Sequence, residues 1–542
     1  MAERSVGRSG AVVAAGTTVS RALGLVNALL LYNTIGTQGQ SADAFALANT
    51  LPNYIYAIIA GGTLTAVVVP AIVRAAGHED GGERFLNRLV TLALTLFASV
   101  TVAVTVAAPL IVHLYAQAGG DDGRGFPPAQ LALTYAFAYW CLPQVFFYAV
   151  FAVLSEVLNA RGRFWAYAWA PIVNNLVFVA VLLTFRFAFG SAAELAASEW
   201  SPGMVALLAG GATLGIAAQA LVLVFAWRRA GLRFRPDFHW RGAGLGRFGR
   251  TASWTFGMVL VGQAIGIAES NVASLATGEA SIAAMGAAWL MFMLPFSIVT
   301  MSIIVPYFTR MSRDAASGDL DAMSADLSAA LRTAVMLQVF CAVGLAVLSP
   351  WVAPLFDGDP SHAGPLALVL SCYLLGLVPL SLASIAQRAF FAFEDTRTPF
   401  FLQLGQAALV GVGLIVIAQP WVPKDRIAMS IALALSLACL VQSVVALSLA
   451  KRRIPGLRLL PLLGRLAWAV AAMIPAAAIG WGIGAVVRSS GAGSGWIPSF
   501  ATAVVAGAAM LIVYGAIMWL TRNPEARAFL SPALARLRRR AE

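Results

Sequence analysis

Apolar stretches long enough to cross a membrane recur along almost the whole chain. One helical crossing needs about 20 predominantly apolar residues, and short polar loops separate windows of this kind. The pattern predicts an all-α polytopic membrane protein with about 14 transmembrane helices. The windows lie at residues 11–35, 44–73, 87–116, 130–158, 166–189, 203–227, 251–275, 281–308, 330–356, 363–392, 398–419, 427–450, 463–487 and 497–521.

Residues 43–74 depart from a plain apolar pattern. Asn49, Asn53 and Tyr56 recur at helical spacing and therefore share one face, and Pro52 interrupts the backbone hydrogen bonds among them. A polar face inside hydrocarbon must look at protein or at water. The stretch is typical of a pathway for a polar solute through a helical bundle, so it predicts a transporter.

The charge distribution gives the orientation. The chain is 60% hydrophobic and 11% charged, whereas soluble domains carry roughly 25% charged residues. A net charge of +12 would also suit a nucleic-acid-binding protein, but the basic residues occupy alternate short loops, as the positive-inside rule requires. We therefore predict a multi-pass protein of the cytoplasmic (inner) membrane with both termini cytoplasmic and no nucleic-acid partner. The exceptions, in the opposite loops, are Arg124, Arg186, Lys424, Arg426 and Arg488.

The chain also repeats itself. VVVPAIVRAAG at the end of the second window resembles IIVPYFTRMSR at the end of the eighth, and Arg163 matches Arg397 at nearly the same separation. A six-helix unit used twice explains both matches, with an axis along the membrane normal relating the two copies. The predicted organisation is a six-helix lobe over 1–227, a basic cytoplasmic linker over 228–250, a second six-helix lobe over 251–450, two additional transmembrane helices over 451–521 and a basic cytoplasmic tail over 522–542.

Signatures of catalysis are missing from the sequence. The 4 cysteines fall inside apolar windows, the 4 histidines have no metal-ligand spacing, and no GxxxxGK[ST], GxSxG or HExxH motif occurs. We therefore expect a transporter and not an enzyme, without a cofactor. Its energy would come from a Na⁺ or H⁺ gradient or from the membrane potential.

Arg21 is the most informative single residue. A guanidinium in the middle of a span costs about 2.5–3.5 kcal/mol on insertion scales, and Ser20 and Asn27 lie on or beside its face. The functional interpretation is an anion contact in a cavity. The alternatives are a structural salt bridge, for example to Asp43, or snorkelling of the side chain toward the headgroups.

Two acidic residues are candidates for control of transport. Asp43 stands where the first pair of spans meets the outer surface, and it would either close a gate or cap the second helix. Glu269 lies in the seventh span beside other polar residues. It would bind a coupling Na⁺ or H⁺, or it would sit near the interface and be merely solvated.

Several motifs in order carry a family resemblance. SRALG in the first span, ADAF and LPN in the second, IIVPYFTRMSR and RAFFAFEDTRTPF together resemble the MurJ/MviN lipid II flippases of the MOP exporter superfamily. EDTRTP and LPNYIY are similar to actinobacterial members. The resemblance, over residues 10–450, implies two six-helix lobes in a V around a cationic cavity, and two last spans that form a groove for a polyprenyl tail. It also implies an undecaprenyl-diphosphate-linked cargo moved from the inner to the outer leaflet by alternating access.

The resemblance also carries over to single positions. Ser20, Arg21 and Asp43 match family residues of the cavity and the gate, and Glu269 stands where some members place an acid of a sodium site. The predicted cargo-binding set is completed by hydrogen-bond donors on the polar faces of the first two spans, namely Asn27, Asn49, Asn53 and Tyr56. Where other members have further cavity arginines this chain has Asn27, Tyr56 and Leu290, and Val410 and Leu414 stand at polar positions of the sodium site.

The sequence is compatible with three alternatives to a lipid II flippase. One is a flippase for another polyprenyl-linked glycan, and the second is a cation-coupled multidrug exporter of the same superfamily. The third is a membrane scaffold for cell-wall assembly, which the cost of the polar stripes in hydrocarbon disfavours. The expected partners are a lipid-linked oligosaccharide, membrane lipids and cell-wall synthesis proteins.

Overall fold

A computed structural model describes residues 2–63, 83–120, 123–161, 163–229, 234–239, 249–357, 360–490 and 495–521. These residues are almost entirely helical, with a single isolated bridge between Ala118 and Phe126, so the all-α class is confirmed. The α-helices are α1 Ala2–Ile35, α2 Gln40–Thr63, α3 Glu83–Val106, α4 Ala108–Tyr115, α5 Pro128–Cys141, α6 Gln144–Ala160, α7 Phe164–Phe189, α8 Pro202–Val205, α9 Gly211–Arg229, α10 Gly249–Ala273, α11 Ile282–Pro295, α12 Met301–Ser317, α13 Leu320–Phe356, α14 Pro360–Leu374, α15 Leu377–Ala392, α16 Arg397–Ile417, α17 Lys424–Arg453, α18 Leu460–Ser489 and α19 Trp496–Leu520.

Twelve helical segments in the described residues are long and apolar enough to cross a membrane. Several join two helices through a tight turn, such as Pro128–Asn159, which contains α5 and most of α6. Helices α1 and α2 are not among the twelve. The predicted number of about 14 spans therefore stays a prediction, while the polytopic class is confirmed.

Two of the spans contain a π-helical turn. One covers Ala206–Gly210 between α8 and α9, and the other covers Phe296–Thr300 directly after Pro295. Proline removes a backbone donor and frees a carbonyl in the preceding turn. In the second case Gln338 Nε2 donates to the Pro295 carbonyl at 3.2 Å and to Thr300 Oγ1 at 2.8 Å. The buried amide of α13 thus bonds the backbone and a side chain at the two ends of this π turn.

The described chain divides into two units, Met1–Ala283 and Ala284–Glu542. The first unit contains α10, which packs against α2 and α4. The division by contacts therefore groups α10 with the first unit, and the linker predicted at 228–250 stays a prediction. The predicted six-helix repeat, with the two additional helices and the tail, remains a prediction, because the VVVP segment and the tail lie outside the described residues.

Aromatic rings form the centre of the first unit. Phe137 packs edge-on against Phe45 and Trp200, with ring centroids 5.4 and 5.2 Å apart, and Phe185 contacts Trp200 at 5.8 Å. The indole N–H of Trp200 donates to Ser41 Oγ at 2.8 Å. This cluster holds the beginning of α2 in place.

In the second unit, α18 and α19 pack on α13. The Tyr514 hydroxyl donates to the Met336 carbonyl at 2.9 Å, and the Tyr514 ring stacks on Phe340 at 5.5 Å. Gly480 lies directly against Met510, so any larger residue at position 480 would separate α18 from α19. The last two helices are thus joined to the core of this unit.

The turn between α15 and α16 is built around one carboxylate. Asp395 Oδ1 accepts the backbone N–H groups of Arg397 and Thr398 at 3.1 and 3.0 Å. Asp395 Oδ2 accepts from Thr398 Oγ1 at 2.8 Å and from Arg453 Nη1 at 2.7 Å. Partial burial raises the pKa of Asp395, but the hydrogen bonds from Thr398 and the charge of Arg453 outweigh it, so the pKa lies below its ordinary value.

Asp395→Asn is expected to destabilise the protein by about 1 kcal/mol at pH 7, because it weakens a helix-end cap and removes an ion pair. A carboxyl group whose pKa is lower in the folded than in the unfolded state stabilises the folded protein when the pH is above the unfolded-state pKa. This contribution is lost as the pH falls through the folded-state pKa. The gap between wild type and variant should therefore close below about pH 4. Thermal unfolding of the detergent-solubilised wild type and variant, from pH 7 to below pH 4, measures this difference in stability. Glu394→Gln, an exposed neighbour, is the matched control, and an equal loss in both variants would refute the role of Asp395.

Candidate functional site

Two of the predicted site residues, Ser20 and Asn27, lie in one polar cluster between α1 and α7. Asn27 Nδ2 donates to Asn175 Oδ1 at 3.0 Å. Asn175 Nδ2 in turn donates to the Ser20 carbonyl at 2.9 Å and lies 3.3 Å from Ser20 Oγ. Asn27 is buried, and its Oδ1 accepts no hydrogen bond from the described residues. The cluster holds α1 against α7 and keeps one buried acceptor available.

Asn175 is a residue that the sequence argument missed. It follows Asn174 in WAPIVNNLVF, an otherwise apolar window, and two adjacent amides inside a span are themselves a signal of internal pairing. Asn174 lies against Gly215 of α9, where a side chain would collide with its amide. The two asparagines therefore serve opposite neighbours, and together they fix α7 between α1 and α9.

Arg21 follows Ser20 on the exposed side of α1. Its neighbour Ser20 is half-buried and belongs to the Asn175 cluster, so the cluster fixes the helix face from which the guanidinium projects. An exposed guanidinium with a long, planar fork suits bidentate contact with a phosphate or carboxylate. This side chain is the one cation among the predicted cargo-binding residues.

The predicted polar face of α2 is turned in several directions. Asn49 Oδ1 accepts from Gln144 Nε2 at 3.4 Å, and the same Nε2 donates to Thr213 Oγ1 at 3.1 Å. The Tyr56 ring lies between Phe97 and Tyr148, with centroids 6.2 and 5.7 Å away. These two side chains face the interior of the first unit. Asn53 is exposed.

Asp43 is fully buried in the first turn of α2. Its Oδ1 accepts the backbone N–H of Ala283, in the first turn of α11, at 2.9 Å. Helix α2 begins earlier, at Gln40, so the carboxylate caps α11 and not α2. A negative charge is favourable there because the first amides of a helix lack partners and carry positive partial charge.

Further hydrogen bonds hold the turn between α10 and α11 to the rest of the first unit. Gln117 donates from its backbone to Ser274 Oγ at 2.9 Å and from its side chain to Asn271 Oδ1 at 2.8 Å. Thr277 Oγ1 donates to Gln130 Oε1 at 2.6 Å, and the Gln130 amide donates to the Gln40 carbonyl at 3.1 Å. With the bond from Ala283 to Asp43, these contacts form what we call the turn network.

Glu269 lies on α10 close to α2. One helical turn before Glu269, the ring of Tyr54 lies beside Gly266: a Cβ added to this glycine would be 4.0 Å from Tyr54 Cζ. The Tyr54 ring also stacks on the ring of Tyr115, with the centroids 5.5 Å apart. Glu269 is near enough to Tyr54 to act on it electrostatically. Beside it, the Ser270 hydroxyl is buried without a partner in the described part of the chain. The described residues contain no group of three or more His, Cys, Asp or Glu that could hold a metal ion.

Comparison with known proteins gives a consistent result. A family model described as "Lipid II flippase MurJ" matches residues 33–498. The chain is 28% identical over 428 residues to the "Probable lipid II flippase MurJ" of Rhizobium meliloti, covering 77% of this chain and 76% of that one. It is 26% identical over 440 residues to the "Probable lipid II flippase MurJ" of Haemophilus influenzae, covering 78% and 82%.

Solved structures show the same fold. The structure of "Lipid II flippase MurJ, inward closed conformation" superposes with a TM-score of 0.69 at 16% identity, covering 94% of this chain and 99% of that one. An inward-facing multidrug resistance MATE family transporter of the MOP superfamily gives a TM-score of 0.63 at 16% identity, covering 80% and 94%. At these identities the likeness concerns the fold alone.

The Asn27–Asn175 hydrogen bond is expected to couple the two residues by about 0.6–1.7 kcal/mol, as buried polar pairs in membrane proteins do. A double-mutant cycle with Asn27→Ala and Asn175→Ala, read out as the free energy of unfolding in a denaturing-detergent titration, measures this coupling. Asn27→Ala combined with Asn53→Ala, an exposed position on α2, is the control pair and should be additive. Additivity in the first cycle as well would contradict the cluster.

Proposed function

Because the chain belongs to the lipid II flippase MurJ family, we propose that it moves lipid II from the inner to the outer leaflet of the cytoplasmic membrane. Lipid II is the undecaprenyl-diphosphate-linked precursor of peptidoglycan. The family match over most of the chain carries the proposal, and the twelve apolar spans support a membrane transporter. The protein would work as a carrier by alternating access, with both termini in the cytoplasm and without making or breaking covalent bonds.

We assign direct contact with the cargo to Arg21 and Asn53, the exposed members of the predicted set. The guanidinium would bind the diphosphate, because charge-assisted bidentate hydrogen bonds to phosphate are strong and directional. Ser20 and Asn27 would position α1 through Asn175. Asn49 and Tyr56 would hold α2 against α6, since Gln144 and Tyr148 already occupy them.

Asp43 and the turn network support a gate at one end of the first unit. The start of α11 is held by one carboxylate and the α10–α11 turn by amide and hydroxyl hydrogen bonds. Contacts of this kind exchange readily with water once the turn is exposed, whereas apolar packing does not. We propose that transport requires the turn network to open and close in every cycle.

Glu269 is the proposed site of a coupling ion, either Na⁺ or H⁺. Its carboxylate, beside the Ser270 hydroxyl, offers oxygen ligands of the kind that hard cations prefer. Coupling to the membrane potential alone is the alternative. A multidrug resistance transporter shares the fold, and an assay of lipid II in the outer leaflet distinguishes the two functions.

Arg21→Ala is expected to weaken transport by about 10- to 100-fold, because one charge-assisted contact with the cargo is lost. The test is to deplete the resident lipid II flippase of a bacterium, express this chain and follow the appearance of lipid II in the outer leaflet. Arg426→Ala, an exposed arginine at the start of α17, should rescue fully. Failure of the inserted wild-type chain to deliver lipid II would refute the lipid II proposal.

Locking the turn network should stop transport reversibly. Gln117→Cys with Ser274→Cys introduces two thiols on neighbouring residues. The backbone N–H of Gln117 lies 2.9 Å from Ser274 Oγ, so the two Cα atoms are less than about 7 Å apart, within the range that a disulfide can bridge. Oxidation should abolish transport in the complementation assay, and reduction should restore it. Each single cysteine variant is the control for oxidation elsewhere, and a cross-linked protein that transports at the wild-type rate would exclude the gate.

A further inference from the structure

An apolar cavity of about 280 Å³ lies within the first unit, and its lining includes none of the predicted site residues. Helices α3, α6 and α9 form its walls, and Phe234 of the described loop 234–239 contributes to its lining. Every lining side chain is apolar apart from the indole N–H of Trp227. An apolar cavity of this size excludes water and accepts an apolar guest. The lining residues are Val90, Leu94, Phe146, Phe147, Val150, Val153, Leu154, Ala220, Leu221, Val224, Trp227 and Phe234.

Trp227 gives the cavity a single unsatisfied donor. The side chain is 5% exposed, and its Nε1 has no acceptor among the described residues. A buried donor without a partner costs about 1–3 kcal/mol. Tryptophan at a membrane interface commonly places its ring in the apolar layer and its N–H toward polar lipid groups. An ester or phosphate oxygen of a lipid would supply the acceptor.

Three exposed arginines adjoin lining residues of the cavity in the sequence. Arg228 and Arg229 follow Trp227 at the end of α9 and are exposed, and Arg235 follows Phe234 and is also exposed. The nearby acids are Asp237, which is paired, and Glu156 on α6. The three arginines therefore leave the rim positively charged. A basic rim beside an apolar cavity complements an anionic lipid, in both its headgroup and its chain.

The loop that carries Phe234 is fixed in place. Arg88 Nε pairs with Asp237 Oδ2 at 2.8 Å, the Arg235 N–H donates to Asn87 Oδ1 at 3.2 Å, and the Asp237 N–H donates to Thr91 Oγ1 at 3.0 Å. The backbone N–H of His239 and the guanidinium of Arg88 hold the pKa of Asp237 well below its usual range. These bonds to α3 hold the described part of the linker against the cavity.

We propose that this cavity binds one acyl chain of an anionic membrane phospholipid. The chain occupies the space between α3, α6 and α9, an oxygen of the ester or phosphate accepts the Trp227 N–H, and the phosphate lies among Arg228, Arg229 and Arg235. Phe234 covers the bound chain. The occupant is a resident lipid and not the transported cargo, so the site goes beyond the proposed function.

The test uses the full chain in phosphatidylcholine nanodiscs that contain a small fraction of phosphatidylglycerol with a diazirine in its acyl chain. After irradiation, labelled peptides are mapped by mass spectrometry. Labels should concentrate on the lining segments of α3, α6 and α9. Val150→Trp, which fills the cavity, should lower this labelling by about tenfold or more, whereas Leu183→Trp on the exposed surface of α7 should not.

Two shape-conserving variants keep the test decisive if Val150→Trp folds poorly. Trp227→Phe should lower labelling by about three- to tenfold through loss of one hydrogen bond. Arg228→Gln with Arg229→Gln should abolish the preference for phosphatidylglycerol over the matching phosphatidylcholine probe, while Arg426→Gln should leave it. Uniform labelling of all lipid-facing helices in wild type, or displacement of the probe by undecaprenyl phosphate in preference to phosphatidylglycerol, would overturn the proposal.

Discussion

The buried carboxylate of Asp43 is the contact on which the arrangement of the first unit depends. A buried carboxyl group needs hydrogen-bond partners in place of water; Asp43 Oδ1 accepts the N–H of Ala283 in the first turn of α11, while Oδ2 has no partner among the described residues. Residues 240 positions apart in the sequence are thereby joined. Close by, α10, which the repeat would place with the second six helices, packs against α2 and α4. Without Asp43, the N–H of Ala283 would be buried without this acceptor.

Other buried polar groups of the described chain also find hydrogen-bond partners, and some find them within their own helix. Thr91, Thr95 and Ser99 of α3 each donate to the carbonyl four residues earlier, so they satisfy themselves within one helix. Amides have more donors and acceptors than their own helix can use. They pair between helices instead, as Asn27 does with Asn175 and as Gln338 does with the Pro295 carbonyl. In these examples the amide groups join two helices, while the hydroxyl groups of α3 bond within their own helix.

The sequence was a good guide to the helices and a poor guide to the directions of side chains. Hydropathy alone predicts the all-α class and most spans, because a bilayer admits few other structures. Asn49, Asn53 and Tyr56 share a face at helical spacing, yet Asn49 and Tyr56 face Gln144 and Tyr148 while Asn53 is exposed. The partners that decide this lie on other helices, and no periodicity within α2 contains them. The turn network and the docking of loop 234–239 were unforeseen for the same reason.

The π-helical turns at Ala206–Gly210 and Phe296–Thr300 are positions where the chain can lose a residue without a change in helix packing. A π turn holds one residue more than an α turn and is compatible with regular helix on both sides. Loss of one residue there restores a continuous α-helix with the flanking faces still in register. The same loss elsewhere in a span rotates everything beyond it by about 100°. These two turns are the points within the spans where evolution or design can remove a residue while the helix packing on either side is kept.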